Sequence, residues 1–144
     1  MPIAGKVMRV VASSLLFITL HDMDIAHTGA YSLYLEGIQR SDRPCAELWN
    51  MVQQNSEYKI KTTMFILMDF GKDVDGDAGD NGFQHHWTRG PQTRTTWMRA
   101  PGSNVVENRV IDRRVDSLDL VPTIAGLMGF DTPFAVGRRI GEIA

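Results

Sequence analysis

The sequence predicts an α/β fold built on a mostly parallel sheet, from three observations. Two apolar runs, residues 15–20 and 64–68, are continuous rather than alternating, the pattern of strands buried on both faces. A long helical pattern separates them. Each run is followed by polar, ligand-bearing residues: His21, Asp22, Asp24 and His27 after the first, Asp69 and Gly71 after the second. In a strand–helix–strand unit the two strands run parallel, so their C-terminal ends share one sheet edge, where open α/β sheets bind ligands.

The elements follow in order. Residues 7–11 form a short strand or the end of a helix, broken by Ser13-Ser14. Residues 15–20 are the first buried strand, and residues 22–29 a polar loop. Residues 32–54 read as a helix with Ile38, Cys45, Leu48 and Val52 on one stripe; Pro44 inside it removes a backbone bond and should kink or divide it. A connection over 55–61 leads to the second strand, 62–68. Residues 71–90 make a long loop rich in Asp and Gly, of a length that in compact domains is usually functional or disordered. A third strand over 95–100 ends at the Pro101-Gly102 turn, and residues 105–113 give a fourth, more exposed strand. Asp116 or Ser117 caps a last helix that runs to about Met128, with Leu120, Ile124, Leu127 and Met128 as its apolar stripe and Gly129 as its stop. Pro122 fits that helix only in its first turn. The tail from Asp131 is a loop with a short edge element.

Composition narrows the class. A chain of 144 residues fits one domain spanning 1–144. At this size roughly 68–70% of the unfolded surface can be buried, enough for one core. A hydrophobic content of 43% sets the chain well apart from disordered ones. The net charge of −2 argues against bulk nucleic-acid or anionic-membrane binding. Cys45 is the single cysteine, so no internal disulfide forms, and it reads as a small buried hydrophobe. Lys6 and Arg9 ahead of the apolar run mimic a signal peptide, but no small-residue cleavage site follows, and the run is too short to span a bilayer. The compartment stays open.

Four constellations carry chemistry. Asp22, Asp24 and His27 place carboxylate and imidazole just past a strand, a donor set that suits zinc, manganese or iron; a helix cap or a solvated pair is the plainer reading. Asp69-Phe70-Gly71 sets a carboxylate at a strand end beside a glycine that permits close approach. The same triplet binds magnesium in kinases, but the rest of the kinase signature is absent. Gly82-Phe83-Gln84-His85-His86 supplies two more imidazoles, one of which can return to the metal edge. Asp73, Asp75, Asp77 and Asp80 hint at a calcium loop, but Ala78 and Gln84 stand where its glycine and glutamate belong, so a solvated acidic loop is expected. No Ser–His–Asp signature, P-loop or dinucleotide fingerprint is present.

Taken in order, Asp24-Ile25-Ala26-His27-Thr28-Gly29, Asp69-x-Gly71, Gly82-x-x-x-His86, Trp97-Met98-x-Ala100-Pro101-Gly102 and Asp119-Leu120-Val121-Pro122-Thr123-Ile124-Ala125 resemble the C-terminal half of the alkaline phosphatase superfamily, which includes sulfatases, phosphodiesterases and cofactor-independent phosphoglycerate mutases. The resemblance runs from about Leu15 to Gly137. It implies a partial three-layer α/β/α fold with divalent metals, zinc above all and manganese or iron otherwise, at the sheet edge. One metal would take Asp22 or Asp24, His27, and His85 or His86; the second would take Asp69. It also implies a phosphate or sulfate ester as ligand.

Three departures qualify it. The family's Asp-x-x-x-His spacing is met by neither Asp22 nor Asp24. Phe70 stands where the family has a metal-binding histidine, and phenylalanine cannot bind a metal. The half that carries the nucleophile and an early carboxylate is missing, and Ser13 and Ser14 precede the strand, so no catalytic residue is assigned. The expected function is therefore a fragment of a metal-dependent phosphate or sulfate ester hydrolase, weak or inactive alone. The alternative is a non-catalytic metal-binding or protein-interaction remnant. A half-domain exposes apolar surface, so the missing N-terminal half or a second copy is an expected partner, with no nucleic acid and no membrane.

Overall fold

The computed structural model describes residues 2–77, 79–87 and 90–143. The described chain is mostly helical, 44%, and its one sheet has two antiparallel strands, so the expected parallel sheet and three-layer α/β/α arrangement are corrected. Among the described residues no helix is long and apolar enough to cross a membrane. The chain groups into two compact units, residues 1–54 with 65–99, and residues 55–64 with 100 onward.

In the first unit, helix α1 (Pro2–Val11) ends at Ala12, whose φ of 50° leaves helical space. Helix α2 (Tyr31–Gln54) runs through Pro44 as one element rather than two. The helices meet at small residues: Ala4 is buried, and a Cβ on Gly5 would fall 2.5 Å from the Met51 methyl carbon. Leu48 and Val52 on the expected stripe of α2 are buried, whereas Cys45 is only partly so. Burial, aided by Asp42, pushes the Cys45 thiol above its ordinary range, which disfavours the reactive thiolate.

Residues 15–20 belong to no helix or strand. The second apolar run contributes only β1 (Ile66–Leu67), which pairs antiparallel with β2 (Met98–Arg99), a remnant of the third expected strand. The reason lies in the loop between them. The Gly71 amide donates to the Thr93 carbonyl at 2.8 Å, and the Asp73 carboxylate accepts from the Thr93 hydroxyl. These bonds fold the chain back, so the strand that returns beside β1 runs the opposite way.

In the second unit, α3 (Ser56–Lys59) is capped by the Asn55 side chain, which accepts from the Glu57 and Tyr58 amides. The expected fourth strand reduces to an isolated bridge between Val105 and Ile143, the tail's one β pairing among the described residues. The last helix begins as a 3-10 turn over Ser117–Asp119 and continues as α4 (Leu120–Leu127), with Pro122 near its start. Asp116 caps it in a full capping box: its carboxylate accepts from the Leu118 amide, and Asp119 Oδ2 accepts from the Asp116 amide. Gly129, at φ 80°, lies just past its end, as expected.

The Asp119…Thr123 pair, the most specific part of the family echo, has a structural role here. Asp119 Oδ1 accepts from the Arg138 amide at 2.8 Å, and Thr123 Oγ1 accepts from the Ile140 amide at 2.9 Å. One turn of helix thereby holds two amides of the tail. Thr123, Ala125, Ile140 and Ile143 form the buried centre of this unit.

Candidate functional site

All the ligand-type residues lie in the first unit. The expected polar loop after residue 21 is a 3-10 turn over Asp22–Thr28 laid on α2. Its approach depends on Gly37, where a Cβ would fall 2.7 Å from the Asp22 carbonyl oxygen. The turn closes with the Thr28 hydroxyl donating to the Ile25 carbonyl at 2.7 Å and with Gly29 in left-handed space, φ 82°. Ala26, fully buried, anchors its middle. His27 is thus carried on a fixed turn rather than a free loop.

A second 3-10 turn, Gly82–Gln84, packs against the first and carries His85 and His86. Phe83 anchors it, its ring 5.0 Å from Tyr31 in an edge-on contact and 5.9 Å from Tyr34 in a stacked one. Asp73 fixes the next residues. It is 6% exposed, and its carboxylate accepts from the Trp87 amide at 2.8 Å while its own amide donates to the His85 carbonyl at 3.0 Å. Asp75 Oδ1 accepts from the Gly82 amide at 2.9 Å. The acidic stretch is exposed at Asp75 and Asp80, as its composition suggests, but buried Asp73 and the Asp75 carboxylate tie its two ends. Ala78 lies outside the described residues.

The two turns bring His27 and His86 together, with ring centroids 5.2 Å apart and planes 69° apart. Phe70 packs on the other side of His86 at 4.1 Å. The residue that cannot ligate thus positions one that can. The remaining residues divide. Asp24 makes a 3.5 Å contact with His21 Nδ1, and Asp69 accepts from the Phe70 amide at 3.0 Å. His85 turns to Trp87, centroids 3.9 Å apart, and its buried Nδ1 has no hydrogen-bond partner among the described residues. Asp22 faces an open cleft of about 370 Å³ shared with Ile25, Leu33 and Arg40. Among the described residues no three His, Cys, Asp or Glu side chains gather as a ready ligand set.

Lys72 completes the neighbourhood and carries no motif signal of its own. Its ammonium lies 5.9 Å from the centroids of both the Tyr34 and Phe70 rings. Burial pushes its pKa down, while Asp24, Asp69 and Asp73 act in the opposite sense. Asp24 and Asp69, two of the carboxylates expected to neutralise metals, thus share the field of a fixed cation. Lys72 and the tie made by Asp73 escape sequence reasoning because neither sits at a ligand spacing; the one available hint was the density of polar residues directly after β1.

Chemically the arrangement offers two adjacent imidazoles backed by an aromatic ring, beside an ammonium and two carboxylates. Neutral imidazoles bind zinc and related ions well, and their N–H groups otherwise donate to anions. Comparison of the chain with protein-family profiles, with characterised proteins and with solved structures returns no match.

Proposed function

We propose that this chain is a metal-binding protein of hydrolase-like character, in which His27 and His86 hold a divalent ion, zinc by preference, and which is weak or inactive toward phosphate and sulfate esters. The observation that carries the reading is the approach of the two imidazoles across separate turns, centroids 5.2 Å apart. Their donor chemistry suits a borderline-soft ion, whose remaining positions would be filled by water or an anionic ligand. A bound ion would supply Lewis acidity to an ester oxygen. The chain's own part is to orient the imidazoles: Ala26 and Gly29 fix His27, while Phe70 and the Asp73 tie fix His86.

The reading rests on the residues and their resemblance to the alkaline phosphatase superfamily, not on the fold, since the described residues form a two-stranded antiparallel sheet and not the parallel one that superfamily uses. Weak or absent turnover follows from Phe70 in place of a ligand.

The test is to strip the purified chain with a chelator, reload it with zinc, manganese or iron, and assay bound metal together with hydrolysis of chromogenic phosphate and sulfate esters. Retained zinc with little or no turnover is the expected result. Brisk turnover abolished by His27→Ala would make the chain a working hydrolase instead. Failure to retain any of the three metals would overturn the proposal.

A further inference from the structure

Residues 15–20 are the least settled apolar segment of the first unit. They belong to no helix, strand or turn, and among the described residues their backbone groups make no hydrogen bond. Exposure alternates along them: Leu15, Phe17 and Thr19 are exposed, Phe17 at 86%, while Leu16, Ile18 and Leu20 are half-buried. That is the two-residue period of a strand with one face on the protein body. The run has no charge and no proline, two of the devices by which native edges avoid pairing. Helix α1, just before it, carries exposed Lys6 and Arg9; the turn just after it carries exposed Asp22 and Asp24.

We infer that residues 15–20 form a self-pairing edge, joining the same segment of a second copy as an antiparallel two-stranded ribbon centred on Phe17. Antiparallel pairing is selected by charge. It sets Lys6 and Arg9 of one copy at the same end of the ribbon as Asp22 and Asp24 of the other, whereas parallel pairing stacks like charges. The register is selected by the faces. With Phe17 on the two-fold axis, Leu16 lies opposite Ile18 and Leu15 opposite Thr19, so half-buried residues meet half-buried and exposed meet exposed. A slip of one residue would mix the two faces. The contact is isologous, each copy giving the same patch, and so it closes as a dimer. It also gives hydrogen-bond partners to backbone groups that otherwise face only water.

The test uses the full chain. Analytical ultracentrifugation should show a concentration-dependent dimer. Phe17→Lys should weaken dimerisation by at least about tenfold with an unchanged circular dichroism spectrum, because an outward phenylalanine contributes little to the core. For geometry, Phe17→Cys in a Cys45→Ser background should oxidise to a covalent dimer. Facing residues on the axis lie roughly 4.5–5.5 Å apart between Cα atoms, within disulfide reach. Phe134→Cys, at the equally exposed Phe134 (95%), should not cross-link under the same conditions. A chain that stays monomeric at its highest soluble concentration would overturn the inference. So would a dimer indifferent to Phe17→Lys, equal cross-linking at both cysteine positions, or growth into open-ended polymers.

Discussion

Replacing Thr123 with valine removes one oxygen from the centre of the second unit and leaves the side-chain shape nearly intact. Thr123 is 1% exposed, its Oγ1 accepts from the Ile140 amide at 2.9 Å, and its hydroxyl donates to the Asp119 carbonyl at 2.6 Å. Ile140 is itself 4% exposed, so water cannot readily replace the lost acceptor. A buried amide left without a partner costs about 1–3 kcal/mol. Thr123→Ser keeps the hydroxyl and loses one methyl, about 0.8 kcal/mol by burial alone. Urea unfolding of the wild type and both variants measures the two losses, with an unchanged m-value showing that stability alone has moved. Hydrogen exchange at the Ile140 amide separates the causes: faster in Thr123→Val, protected in Thr123→Ser. A valine variant as stable as the wild type, with that amide still protected, would refute the view that Thr123 holds the tail.

Other expectations concern the same two units. Asp73→Ala removes the acceptor for both the Trp87 amide and the Thr93 hydroxyl, and should lower stability by about 3–6 kcal/mol in urea unfolding, given roughly 1.5–3 kcal/mol per charged hydrogen bond. Gly37→Ala drives a methyl into the Asp22 carbonyl 2.7 Å away, and should cost about 1–3 kcal/mol while broadening the nuclear magnetic resonance signals of His27. The Asp119 carboxyl is held below its ordinary range, first by the Arg138 amide and then by the Asp116 amide. Its folded pKa lies below its unfolded one, so its contribution is complete above the unfolded value and is lost as pH falls through the folded value. Urea midpoints should therefore drop on acidification below the usual carboxylate range, and Asp119→Asn should flatten that drop.

Helices α2 and α4 were legible in the sequence, whereas α1, α3 and the sheet were not. The C-terminal half of the α2 stripe, at Leu48 and Val52, and the Asp116 cap and Gly129 stop of α4 are local signals, set by side chains within a turn or two, and they appear nearly where periodicity puts them, while Ile38 is exposed. Strands depend on partners remote in sequence. Residues 15–20 and 64–68 read as buried parallel strands because they are apolar and unbroken, but apolarity does not say what lies alongside. The long-range bonds of Asp73 and Gly71 to Thr93 accompany the antiparallel pairing of the second run, and the first run pairs with no strand among the described residues. Site residues divide in the same way. The His27–His86 approach depends on two short turns with local glycine and aromatic signals. Lys72 and the ties of Asp73 arise only from folding, and Asp22 and His85 point to other neighbours, Asp22 to the cleft and His85 to Trp87.

The most direct measurement is zinc affinity by isothermal titration calorimetry on the wild type, His27→Ala, His86→Ala and the double variant. If the two imidazoles hold one ion, each single substitution lowers affinity by at least about tenfold, and the double variant is scarcely weaker than either, because the first loss already opens the site. Wild-type affinity retained in either single variant, or losses that simply add, would contradict a shared ion.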